Sequence, residues 1–364
     1  MAKRSKILDE IEEETFVADD SDEVPPTDII AFNELRSCAD LHRLHTEGVL
    51  EIQPSFQREV VWPETAQTRF IDSLIKRLPI PSMCFSFDYK SEKWQVIDGL
   101  QRMSSIVRFL SGDSEWRLAN VDDITPDLRG KFASDFVEKG SSLSKYYQRV
   151  KDISIPITVL RCDLSKEAHS EYLFTIFHRL NSGGMKLNSQ EIRNCIFSGA
   201  FNDLLHDLNE TSSWKKLNKM KHTKGYRFRK EELILRFFAF HERSSSYNGR
   251  LSKFLNDYMR THRNLSNKDA ESKSELFTDT VDFVWKDLLK GTFPPRLSVT
   301  TLEGLLIGVA ANLKSLQKGS PSKLQTKLQK FYDLDEFSEA SLVEGLSKKQ
   351  KVLDRLNAAK DAFR

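Results

Sequence analysis

Within Asp98-Gly99-Leu100-Gln101-Arg102, a carboxylate, a glycine, an amide and a guanidinium stand side by side. Asp98 can hold a divalent cation or orient an attacking water. Gln101 can position that water or read a base, and Arg102 is an always-ionised fork suited to phosphate oxygens. Phosphoryl transfer needs little more than such positioning and charge neutralisation. Before the turn, Trp94, Val96 and Ile97 read as a strand; after it, Met103, Ile106, Val107 and Leu110 recur at helical spacing. A helix starting here aims unpaired N–H groups and a positive dipole end at whatever lies over the turn, and Gly99 lets the backbone bend and a ligand come close. The same residues also suit an ordinary strand-to-helix corner, with Asp98 as the cap and Arg102 in a salt bridge.

Other candidates flank this centre. Gln57 and Arg58 sit among Phe56, Val60 and Trp62 in a segment too broken for a helix. A polar pair in apolar company needs partners. Arg58 either neutralises phosphate from the far side or pairs internally with Asp98. Asn181-Ser182-Gly183-Gly184 is either a second ligand loop or a glycine helix stop, and His178 reads as structural. Lys215, Lys216, Lys219, Lys221, Lys224, Arg227, Arg229 and Lys230, interleaved with Trp214, Tyr226 and Phe228, form the strongest basic run. That pattern suits a nucleic-acid backbone with base stacking, and equally a solvated loop.

The elements that must position these groups can be read in order. Residues 1–30 are an acidic tail, either a solvated arm or a mimic of DNA charge that shields a basic groove. A helix is expected from Leu35 to a stop at Gly48. Pro63 opens a second helix with a buried stripe of Phe70, Ile71, Leu74, Ile75 and Leu78. Alternation at Met83, Phe85 and Phe87 predicts a strand, which returns through Lys93–Ile97 as a hairpin. Residues 114–150 read as an irregular, partly helical insertion. Ile153 to Leu160 is a strand whose Pro156 suggests a sheet edge. A helix follows Ser165, and Asn188 with Glu191 forms a capping box for the next. From about 200 the pattern is all helical, which predicts domains at 31–200 and 201–364.

The chain's 364 residues allow a sizeable core, and a formal net charge of +2 points to no partner. Cys38, Cys84, Cys162 and Cys195 form no CxxC pair, which argues against a zinc site or a disulfide framework and for reduced, buried thiols. With no apolar signal core at the N-terminus and no stretch read as a membrane span, a cytoplasmic protein that engages no membrane is expected.

Taken together, Gln57-Arg58 with Trp62, Pro79-Ile80-Pro81, Asp98-Gly99-Leu100-Gln101-Arg102, Phe177 through Gly184 and Glu191-Ile192-Arg193-Asn194 resemble the N-terminal domain of GmrSD-type restriction enzymes, the DGQQR-motif family. The resemblance spans roughly residues 30–200, and 232–240 with 247–259 resemble the helical extension of its short, stand-alone members. It implies an α+β fold: a ParB/sulfiredoxin-like domain with a small mixed sheet, followed by an all-α domain. It also implies binding, and in some members hydrolysis, of a nucleoside triphosphate with Mg²⁺ or Mn²⁺, in bacterial defence against phage or modified DNA. Carried over, the nucleotide site is Gln57, Arg58, Gly99, Arg102, Asn181 and Arg193, with Asp98, Gln101 and Arg102 catalytic and Asp98 on the metal. Leu100 stands where the family usually has glutamine, which removes one polar contact. No histidine is followed by proline three residues on, so the family's His-x-x-Pro nuclease signature is missing. Three functions follow as expectations: an NTP-hydrolysing defence protein acting on or regulated by DNA; a ParB-like metal-dependent DNA nuclease; and a non-catalytic nucleotide-sensing subunit that controls an effector, such as a nuclease, in trans.

Overall fold

The structure is a computed structural model that describes residues 26–52, 62–138, 140–180, 188–218, 229–292, 298–338, 341 and 348–364. The chain forms two compact units, Glu23–Lys186 and one containing Leu187–Arg364. The first unit carries a five-stranded mixed sheet and the second is helical, an α+β architecture as expected.

In the first unit the strands are β1 (Ile30–Ser37), β2 (Leu50–Glu51), β3 (Met83–Asp88), β4 (Lys93–Asp98) and β5 (Ser154–Cys162). Their order across the sheet is β1-β5-β3-β4-β2. β5 runs antiparallel to β1 and parallel to β3, and the β3–β4 hairpin is antiparallel. The helices are α1 (Cys38–Thr46), α2 (Glu64–Ile75), α3 (Leu100–Leu110), α4 (Ser134–Val137), α5 (Ser144–Asp152) and α6 (Glu167–Leu180). Ile71 and Leu74 of α2, Met103, Ile106 and Phe109 of α3, and Met83, Phe85, Ile157 and Val159 of the sheet join one buried core.

Three local expectations change. The stretch from Ile30 is a strand, and the helix begins only at Cys38, where Ser37 accepts the Asp40 N–H as its cap (3.1 Å). Pro156 lies in an inner strand and not at the edge. Pairing of β5 with β3 starts at Ile157, so no β3 residue is paired beside the proline. Leu78 is 49% exposed, because α2 ends at Ile75 and Arg77, with φ +55°, turns the chain away from the helix face.

Asp28, counted above within the tail, is part of the fold. Its carboxylate accepts from buried His169 Nε2 (2.7 Å) and pairs with Lys166, while His169 Nδ1 accepts the Asp163 N–H (2.9 Å). The bonds from Lys166 and His169 bring the Asp28 carboxyl down from 3.8 to about 2. A carboxyl depressed on folding stabilises the native state above its ordinary value and loses that contribution as pH falls toward the folded value. Acid titration of the unfolding midpoint should therefore show a stability loss between about pH 4 and pH 2 that Asp28→Asn flattens. An unaltered acid limb in the variant would refute this.

The second unit comprises α7 (Ser189–Ile196), α8 (Ala200–Asn209), α9 (Ser212–Leu217), α10 (Arg229–Arg243), α11 (Leu251–His262), α12 (Asn267–Phe283), α13 (Val299–Leu316), α14 (Pro321–Tyr332) and α15 (Lys349–Phe363). The Asn188–Glu191 capping box predicted from sequence caps α7. α13 corrects the reading that no stretch has the length and composition of a membrane span. It does, with a mean hydropathy of 1.2, but 72% of it is buried within the protein, against α10, α12 and α15. Gly308 makes that packing possible: a Cβ there would stand 2.7 Å from the Ala359 carbonyl oxygen. All four cysteines are free and buried, and burial pushes the Cys38 and Cys162 thiols up to about 12.

Candidate functional site

The strand, turn and helix around residue 98 form as the sequence predicts. β4 ends at Asp98, which faces Cys84 across the hairpin, and α3 begins one residue beyond Gly99. Gly99 has φ +97° and ψ 14°. A side chain there would be strained, and it would also collide: a Cβ would stand 2.6 Å from Met83 Cγ and 2.9 Å from its sulfur. Glycine is thus required by packing against β3. The N-cap is Gly99 and not Asp98, and it supplies no side-chain cap. The first bond inside the helix runs from Met103 N–H to the Gly99 carbonyl (2.8 Å), so the amides of residues 100–102 have no acceptor within α3.

Arg102 lies along this end with its fork turned into the protein. Its Nη2 donates to Asp98 Oδ2 at 2.8 Å, and Nη1 donates to the Pro81 carbonyl at 2.5 Å. The Ser82 carbonyl accepts a longer bond of 3.4 Å. Only 13% of the Arg102 side chain is exposed, against 38% for Asp98. Burial lowers the Arg102 pKa despite the opposing pull of Asp98, but a guanidinium stays charged. Of the two readings open for Arg102, the structure shows the salt bridge: the Asp98 carboxylate and the carbonyls ahead of β3 engage the fork. One carboxylate with partial solvent access fits Mg²⁺, which takes one or two carboxylates and fills its shell with substrate oxygens and water.

Gln101 serves a neighbouring clamp. Its Oε1 accepts the Trp62 N–H (2.9 Å), and Gln67 Nε2 donates to the Trp62 carbonyl (2.8 Å). The backbone entering α2 is thereby fixed on both sides, and the Trp62 ring meets Phe70 edge-on at 5.8 Å. Gln57 and Arg58 lie five and four residues upstream of this clamp, outside the described residues, as does Asn181.

Arg193 belongs to the helical unit, not to the unit that holds Asp98. It is 2% exposed and its guanidinium is engaged there. Nε donates to Asn256 (2.9 Å), Nη1 to Glu232 (3.0 Å) and Gln190 (3.2 Å), and Nη2 to Ser252 (3.2 Å). Sequence reasoning missed this network. Its trace was a polar face of Gln190, Arg193 and Asn194 on a helix whose apolar residues are all buried. It also missed the Asp28–His169 clip and the part Met83 plays.

In the basic run, Lys215 pairs with Glu210 (2.6 Å), Lys216 is exposed on α9, and Arg229 and Lys230 open α10. Trp214 is fully buried against Phe277 (5.3 Å), so it cannot stack on a base. Lys219, Lys221, Lys224 and Arg227 lie outside the described residues.

No curated protein sequence matches the chain. Residues 39–198, from α1 through α7, match the family model of the GmrSD restriction endonuclease, N-terminal domain. By this match, residues 39–198 form a GmrSD-type N-terminal domain.

Proposed function

We propose that the chain is a restriction-type defence protein that binds a nucleoside triphosphate with a divalent cation at the 98–102 turn and hydrolyses it. One observation carries this reading. The N-terminal end of α3, where Gly99 supplies no side-chain cap, meets the partly exposed Asp98 carboxylate and the Arg102 guanidinium, in a span matched by a restriction-enzyme domain. Phosphate oxygens suit the amides of 100–102, and Arg102 can turn to them only by releasing Asp98. The freed Asp98 carboxylate is then the group that would hold Mg²⁺ or Mn²⁺; when bound, the cation offsets the charge on the phosphates. Gln101 keeps the Trp62 backbone tethered beside the turn. Lys216, exposed on α9, and the other residues of the basic run are the candidates for DNA contact.

The test is a thermal-shift panel of nucleotides with Mg²⁺, followed by hydrolysis of radiolabelled nucleotide by wild type, Asp98→Ala and Arg102→Ala. At a hundredfold over its dissociation constant the bound nucleotide should add about 2.7 kcal/mol of stability. Loss of either charged group should slow turnover by about 10²–10³-fold. Equal rates in all three proteins, with circular dichroism showing intact folds, would remove the catalytic reading. A second reading is favoured by the pairing of Arg102 with Asp98, which gives the site two alternative states: a nucleotide-sensing subunit controlling an effector in trans. It predicts the thermal shift with the nucleotide recovered intact.

A further inference from the structure

The two edges of the sheet are built differently. β2, on one edge, is two residues long, and brevity is a common way of keeping an edge from pairing. β1, on the other, is eight residues long. It pairs with β5 without a bulge from Ile30 to Ser37, and it contains neither lysine nor proline. No strand among the described residues pairs with its outer side. Apolar side chains stand exposed on it: Ile30 at 51%, Phe32 at 39% and Leu35 at 73%. A long, regular edge with exposed apolar side chains lacks the protections that natural edges carry.

We propose that β1 pairs antiparallel with β1 of a second copy of this chain over residues 33–37, about a two-fold axis at Leu35, joining two five-stranded sheets into one. Charge complementarity selects the register. A two-fold perpendicular to the sheet keeps each residue on its own face, so directly opposed positions must both be even or both be odd. Centring the axis on Leu35 sets the most exposed apolar side chain of the strand against its own copy. The same register sets Glu34 opposite the partner copy's Arg36, and Arg36 opposite its Glu34. Opposed cross-strand charges of unlike sign attract, and like signs repel. An axis on Glu34 would put two carboxylates face to face. Within one chain Arg36 donates to Glu34 (2.5 Å) and Asp40 (2.6 Å) and lies over the Trp94 ring (4.7 Å), so its guanidinium must swing outward to meet the partner copy's Glu34.

The test uses the full chain. Sedimentation equilibrium across a wide concentration series should give a dimer for wild type and half that mass for Leu35→Lys, whose folding is protected by its exposure. Glu34→Arg and Arg36→Glu should each be monomeric alone and recover the dimer mass when mixed, because only the mixed pair restores opposite charges. All four native cysteines are buried, so Leu35→Cys adds an accessible thiol. Under mild oxidation it should form a covalent dimer much faster than Asn33→Cys, which the register sets away from its own copy. A monomeric wild type at every concentration, a dimer indifferent to Leu35→Lys, or equal crosslinking from positions 33 and 35 would each overturn the proposal.

Discussion

Replacing Arg193 with methionine should cost the helical unit about 3–5 kcal/mol, the usual loss when one member of a buried ion pair is removed. The guanidinium is 2% exposed and bridges α7 to Glu232 on α10 and to Asn256 and Ser252 on α11. Methionine fills much of the volume but leaves the Glu232 carboxylate, 12% exposed, without its cation and two amides without their partner. Lysine should rescue poorly, since one ammonium cannot reproduce a fork directed at several acceptors. The double variant Arg193→Met with Glu232→Leu should recover a substantial part of the loss, because removing both charges removes the burial penalty. Urea unfolding followed by circular dichroism reads the effect. The nucleotide-binding role carried over for Arg193 predicts the opposite pattern: an unchanged unfolding curve and a lost nucleotide shift.

Gly99→Ala should be the most damaging single methyl in the first unit. The left-handed backbone at φ +97° costs a non-glycine residue about 1–3 kcal/mol. The added carbon also falls 2.6 Å from Met83 Cγ, in a core where Met83 is fully buried, and displacing it adds about 1–3 kcal/mol. The two contributions separate in a double-mutant cycle. Met83→Ala removes the colliding Cγ and sulfur but leaves the backbone strained, so the pair should lose less than the sum of the singles. Strict additivity, or a Gly99→Ala protein that melts like wild type, would show that neither constraint acts.

The contrast between what could and could not be read follows from sequence distance. The hairpin, the Asp-Gly turn and α3 were legible because alternation, turn chemistry and helical spacing all act within ten or so residues. The Asn188–Glu191 capping box was legible for the same reason. β1 was not: Ile-Ala-Phe-Asn-Glu-Leu-Arg-Ser has helix formers and no clean alternation, and it is a strand because β5, far along the chain, pairs with every residue of it. At the site, the residue types were readable but the direction of Arg102 was not. The carbonyls that hold it belong to Pro81 and Ser82, some twenty positions upstream, and local spacing says nothing about them. The placement of Arg193 was unreadable for a related reason. A motif carried over by order along the chain does not say which compact unit each residue joins.

The placement of β5 between β1 and β3, antiparallel to the first and parallel to the second, bears on how the protein is made. During synthesis the first strand and the hairpin leave the ribosome long before the strand that joins them, which is the last in the sheet. At ordinary elongation rates the wait is on the order of ten seconds, with the bared edges and the apolar side chains of Met83 and Phe85 open to other nascent chains. Yield in cells should therefore depend on holdase chaperones and on translation speed through residues 100–160 more than on the stability of the finished fold.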